Sequence, residues 1–226
     1  MGTRIGVLGG TFNPPHRGHL ELARHALREL ALDRVLLMPA YTAPNKHTVG
    51  DEANDPGPAH RLAMCRLAAA DRTLLAADAP RQQASGQRVR ACALEIERGG
   101  VSYTVDTLEQ LHASHPQAEL TLIVGADVAG TLASWREPER LLELARIAVA
   151  GRPGSAAAGA ALPQELAAGL AGARATMLEM PAIDVSSSLV RERVARGEAI
   201  DDLVGDDVAG YIAEHRLYRV ASGAIA

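Results

Sequence analysis

A chain of 226 residues, 47% of them hydrophobic and carrying a formal net charge of -4, can bury a substantial core; it is not composed for disorder and offers no overall basic surface for nucleic acid. No apolar run reaches the roughly 18 to 20 residues of a membrane span, and the first residues lead into a strand pattern without a signal sequence. A soluble, unprocessed, cytoplasmic protein without a membrane partner is therefore expected. Cys65 and Cys92 stand singly, without C-x-x-C or His spacing, which reads as two reduced thiols and not as a metal centre or redox pair.

The first strand is predicted from Arg4 to Leu8 and the first helix from Gly18 to Leu30, with GGTFNPPHRGH, residues 9 to 19, between them. Strand, glycine-rich turn and helix together bring backbone N–H groups and the positive end of a helix up to an anion, so a nucleotide phosphate is the natural ligand. The turn lacks both the Lys-Ser/Thr pair of a P-loop and the G-x-G-x-x-G pattern. It carries His16 and His19 instead, and imidazoles beside a phosphate suit transfer at phosphorus, where they donate to developing charge.

A second strand follows from Arg34 to Met38, and the run AYTAPNKHT after it delivers Lys46, the only lysine of the chain. Its ammonium, on a flexible stem, can neutralise a substrate phosphate. Residues 45 to 58 lack apolar periodicity and read as a long exposed loop. Further strands are predicted from Val89 to Ile96, Leu120 to Val124, Ile147 to Ala150 and Ala175 to Leu178. Helices are predicted from Ala59 to Ala70, Val105 to His112, Pro138 to Leu144, Pro163 to Leu170, Ser187 to Ala195 and Asp206 to Glu214. Residues 151 to 173, rich in Ala and Gly, read as a loop and weak helix with linker-like composition. In DVSSSLVR, residues 184 to 191, one of Ser186, Ser187 and Ser188 caps the helix, a role compatible with phosphate binding.

This alternation predicts an α/β fold with a doubly wound, mostly parallel, Rossmann-like sheet and a small C-terminal helical part. Ligands of such sheets bind beyond the carboxyl ends of the strands, where residues 9 to 19 lie.

His16, Arg17, Gly18 and His19 after G-G-T-F resemble the H-x-G-H signature of the nucleotidylyltransferase superfamily, whose members join a nucleoside monophosphate to a phosphate-bearing acceptor and release pyrophosphate. DVSSSLVR resembles the superfamily's second signature, I-S-S-T-x-I-R, which holds the β- and γ-phosphates of ATP; Ser188 replaces Thr and Val190 replaces Ile. APNK partly matches a run that is often P-P-H-K. Residues 95 to 107, EIERGGVSYTVDT, followed by LEQL, are similar to the S-Y-T-x-D-T segment of nicotinate-nucleotide adenylyltransferases, the bacterial enzymes of NAD synthesis. GADVAGTLASW matches that subfamily's G-x-D and L-x-x-W elements. HRLAM at 60 to 64, LLELARIAVAGRPG at 141 to 154 and YIAEHRLY at 211 to 218 extend the resemblance over nearly the whole chain.

The resemblance implies a single nucleotidylyltransferase domain over residues 1 to 226, with 184 to 226 as its C-terminal phosphate-binding part. It implies adenylyl transfer from ATP to nicotinate mononucleotide, with Mg²⁺ accompanying ATP and no protein-built metal centre. His16, His19, Lys46 and Arg191 are the expected catalytic residues. ATP is expected on Gly9, Gly10, Thr11, Phe12, His16, His19, Gly125, Asp127, Ser187, Ser188 and Arg191. The nicotinate nucleotide is expected on Thr11, Lys46, Tyr103, Thr104 and Trp135, with Thr104 at the carboxylate and Trp135 stacked on the pyridine. Other acceptors (nicotinamide mononucleotide, phosphopantetheine, glycerol phosphate) and a non-catalytic nucleotide-binding module are the alternatives. A homo-oligomer is compatible with the sequence.

Overall fold

The structure, a computed structural model, describes residues 2–44, 54–71, 88–151, 175–180 and 183–219. Six strands, β1 (Arg4–Gly10), β2 (Arg34–Pro39), β3 (Val89–Ala91), β4 (Glu119–Gly125), β5 (Ala145–Gly151) and β6 (Ala175–Glu179), form one sheet in the order β3-β2-β1-β4-β5-β6, and every pairing is parallel. The described helices are α1 (Arg17–Glu29), α2 (Pro58–Ala70), α3 (Leu94–Arg98), α4 (Thr104–Ser114), α5 (Ala126–Ala129), α6 (Pro138–Leu144), α7 (Ser187–Arg196), α8 (Asp201–Val204) and α9 (Asp206–Glu214).

Both faces of the sheet are covered, and the period of two along each strand divides the core accordingly. Ile5 and Val7 of β1 join Leu120, Leu122 and Val124 of β4 and Leu108 and Leu111 of α4 in one cluster. Leu8, Leu37 and Ile123 point to the other face, with Leu20 and Ala23 of α1 and Met64 and Cys65 of α2. Gly6 lies on this second face, where a Cβ would stand 2.8 Å from side-chain carbons of Ile123 and Leu32, so only the absence of a side chain lets β1 approach so closely.

β1 pairs with both β2 and β4, so the order of strands reverses there and a crevice opens beyond its carboxyl end. The chain after β1 enters that crevice. A cis Asn13–Pro14 peptide and a positive φ of 53° at Phe12 shape the turn, and its residues 12 to 15 are buried.

The strand expected from Val89 to Ile96 is shorter. It ends at Ala91, and α3 follows at once. Glu95 explains the change, because on a helix its buried carboxylate accepts from the Thr107 hydroxyl of α4 at 2.6 Å. Gly99 and Gly100, both at φ 70°, then stop the helix. The short α5 and α8, also absent from the sequence reading, are four residues each, too brief for helical periodicity to register. The helix expected from Pro163 to Leu170 lies outside the described residues.

Candidate active site

The β1 turn and the first turn of α1 form one wall of a cavity of about 780 Å³ at the carboxyl ends of the strands. Gly9, Gly10, Thr11, His16, Gly18 and His19 all line it. The His16 and His19 rings lie with centroids 3.8 Å apart, and His19 rests against the Phe12 ring at 4.8 Å. The His16 backbone N–H donates to Nδ1 of His19 at 3.2 Å. Because Nδ1 accepts, the proton of neutral His19 resides on Nε2, which makes that nitrogen the donor.

His16 differs from its neighbour in electrostatics. Burial pushes its pKa down from 6.5 to about 4, so at neutral pH it is an uncharged imidazole. Its Nδ1 is buried without a hydrogen-bond partner. Gly18 permits this packing, since a Cβ there would lie 3.1 Å from His16 Nδ1 and 3.2 Å from a Val185 methyl.

The same cavity is lined by Tyr103, Thr104 and Trp135, three residues separated by up to 32 positions that the sequence reading placed together. Thr104 opens α4, whose first-turn N–H groups have no carbonyl partners within the helix and so favour an anion. The indole N–H of Trp135 donates to the Thr131 hydroxyl at 3.0 Å, which fixes the ring. The Arg136 guanidinium stacks 4.8 Å from the Tyr103 ring centroid and lies 3.7 Å from Asp106 Oδ2. Gly125, Ala150 and Gly151 line the cavity at the ends of β4 and β5.

Of the other expected site residues, Phe12, Ser187, Ser188 and Arg191 are not among the described residues that line the cavity. The side chain of Phe12 is 2% exposed; it supports His19 from the core and leaves only its backbone to meet a ligand. Asp127, expected to meet ATP, falls within α5, after the fourth strand has closed at Gly125. Lys46 lies outside the described residues. Ser186, not Ser187 or Ser188, caps α7, accepting from the Leu189 N–H at 3.1 Å. Ser187 donates to the Pro14 carbonyl at 2.9 Å, and Arg191 donates from Nη1 to the Asn13 carbonyl at 2.8 Å and from Nη2 to the Ser188 hydroxyl at 3.3 Å. Ser187, Ser188 and Arg191 are not among the described residues lining the cavity; Ser187 and Arg191 fasten α7 to the backbone of the phosphate turn, and the Ser188 bond lies within α7.

Several residues that the sequence reading did not assign to the site join it. Glu95, Ser102 and Arg136 all line the cavity. Burial raises the pKa of Glu95, opposed by hydrogen bonds from Thr107 and Ser102 and by the charge of Arg98. Asn13 is buried beneath the turn, and the Tyr218 hydroxyl donates to its Oδ1 at 2.7 Å. Its burial was foreshadowed only by its place among prolines in a tight turn.

The strand order and the cavity at its reversal define a doubly wound α/β protein of the nucleotide-binding class, with histidines where a phosphate would rest. A cytidylyltransferase-like family model matches residues 7–193. A probable nicotinate-nucleotide adenylyltransferase of Roseiflexus sp. is 42% identical over 95% of this chain and 98% of its own length, and one of Albidiferax ferrireducens is 41% identical over 96% and 99%. The chain belongs to the cytidylyltransferase-like family and, within it, to the nicotinate-nucleotide adenylyltransferases. Among solved structures, a Plasmodium falciparum nicotinic acid mononucleotide adenylyltransferase complexed with APC shares the fold, with a TM-score of 0.71 at 15% identity over 96% of this chain and 97% of that one. No described helix is long and apolar enough to cross a membrane.

Proposed function

We infer that this chain transfers the adenylyl group of ATP to nicotinate mononucleotide, giving deamido-NAD and pyrophosphate in NAD biosynthesis. The observation that carries this reading is the meeting, in one cavity, of the His16–His19 phosphate turn and the Tyr103, Thr104 and Trp135 cluster. Donor and acceptor ends share a single space.

In this reading an oxygen of the acceptor's 5′-phosphate attacks the α-phosphorus of ATP in line. The bond from that phosphorus to the β-bridging oxygen breaks, and its electron pair leaves with pyrophosphate. His19 donates from Nε2 to a non-bridging α-oxygen as charge grows there, and neutral His16 assists at the same phosphate. Lys46 balances charge on the phosphates; Arg191 and Ser187 act on them through the turn backbone that they hold. The pyridine stacks on Trp135, and its carboxylate meets Thr104 and the start of α4.

Mg²⁺ accompanies ATP. Among the described residues no cluster of three His, Cys, Asp or Glu side chains is placed to hold a metal ion, and the Glu95 carboxylate is engaged with Thr107. That donor set suits a magnesium held by phosphate oxygens and water. The unpaired thiols Cys65 and Cys92 fit a reducing, cytoplasmic setting.

The test is Mg²⁺-dependent pyrophosphate release from ATP with nicotinate or nicotinamide mononucleotide as acceptor. Marked preference for the acid is expected. Preference for the amide would overturn the acceptor assignment, and no release with either would overturn the reaction.

A further inference from the structure

Among the described residues Arg61 is the largest fully buried side chain, at 1% exposure, and its guanidinium serves four acceptors. Nε donates to Asp55 Oδ1 at 2.9 Å, which supplies the counter-charge. Nη1 donates to the carbonyls of Thr11 at 2.9 Å and Ala40 at 2.6 Å, and Nη2 to that of Tyr41 at 2.9 Å. Thr11 belongs to the phosphate turn after β1, whereas Ala40 and Tyr41 belong to the loop after β2. One planar cation therefore grips two loops that enter the cavity from neighbouring strands.

The second loop carries the connection onward. A carbonyl aimed at Arg61 turns the next peptide N–H the opposite way, and the Tyr41 N–H indeed donates to the Ser102 hydroxyl at 2.9 Å. Ser102 returns its own N–H to the Thr42 carbonyl at 2.9 Å. Tyr103 and Thr104 of the acceptor end follow directly in the chain. A continuous hydrogen-bonded path thus runs from Thr11 through Arg61 and the 40–42 loop to the acceptor turn.

We propose that Arg61 is a positioning residue for adenylyl transfer: by holding the carbonyls of Thr11, Ala40 and Tyr41 it sets the spacing between the turn that bears the α-phosphate and the turn that bears the acceptor. This rests on the reaction proposed above. Arg61 is not among the described residues that line the cavity, so each subsite keeps its own lining without it; what its loss alters is their separation. A misplacement of about 1 Å between reacting groups lowers rates by around 10²-fold. Lysine cannot replace it, because a single ammonium offers three donors from one point and cannot span four acceptors arranged about a planar fork.

The experiment compares the full chain with Arg61→Lys, Ser102→Ala and the double variant. Unmodified protein is assayed first for pyrophosphate release with nicotinate mononucleotide; failure there overturns the reaction and not this assignment. In Arg61→Lys, kcat per folded molecule is expected to fall by about 10- to 100-fold, whereas Kd for ATP alone and for nicotinate mononucleotide alone, by calorimetry, change by less than about threefold. Ser102→Ala is expected to lower kcat by about threefold to tenfold, and the double variant to lose less than the product of the two. An unchanged kcat per folded molecule with a lowered Tm would make Arg61 a fold residue only, and a Kd lost in step with kcat would make it a binding residue; either overturns the proposal. Should Arg61→Lys not fold, Ser102→Ala decides: normal kcat overturns the proposal, and a reduced kcat with both Kd values kept supports it.

Discussion

The backbone N–H of His16 and Nδ1 of His19 are joined by a hydrogen bond of 3.2 Å, so the start of α1 selects the tautomer of the imidazole that faces the cavity. Nε2 of His19 is thereby committed as a donor before any ligand arrives. His19→Ala should lower kcat by about 10²- to 10³-fold, the cost of removing one donor to transition-state charge, with a much smaller change in KM for ATP. Initial-rate kinetics decide this, and near-normal turnover would remove His19 from the chemistry.

The depressed pKa of His16 fixes the sign of a pH effect. Between its folded value of about 4 and the ordinary 6.5, the unfolded chain binds the proton and the folded chain does not. This contribution to stability is therefore whole above pH 6.5 and is lost as pH falls toward 4. Thermal melts across that window should show Tm dropping with acid in the parent protein and dropping less steeply in His16→Asn.

Trp135 is held by its indole N–H to Thr131 Oγ1 at 3.0 Å. Trp135→Ala should raise KM for the pyridine nucleotide by about 10- to 100-fold, in line with about 1–3 kcal/mol for stacking an aromatic base, and leave KM for ATP within a few-fold. Thr131→Val, which frees the ring to turn, should shift the same constant less. Equal effects on both substrates would contradict the assignment of Trp135 to the pyridine nucleotide alone.

Tyr218 and Asn13 lie 205 residues apart and meet in a 2.7 Å hydrogen bond. Tyr218→Phe leaves the buried Asn13 carbonyl oxygen short of a donor, so unfolding in urea should show a loss of about 1–3 kcal/mol. A change within about 0.3 kcal/mol would mean that water replaces the phenol as donor to Asn13 Oδ1.

The sequence by itself determined the strand–turn–helix at residues 9 to 19, the alternation that makes a doubly wound sheet, and the chemistry available at His16 and His19. These are local properties: glycine tolerance, helix and strand periods, and the donors of a side chain follow from residue type and near spacing. α2 shows how far such reading reaches. Arg61 falls on the same helical stripe as Cys65 and Ala68, so a cation at an inward position was visible in principle, but not what it would meet there.

Tertiary structure decided the rest. Whether Glu95 continued a strand or turned into α3 depended on Thr107, twelve residues on; that Arg191 reaches the Asn13 carbonyl instead of lining the cavity depended on where α7 docks. The three carbonyls that meet Arg61 come from two different strand ends. A buried charge is stable only among such partners, and partners distant in sequence come together only when the sheet has ordered its strands.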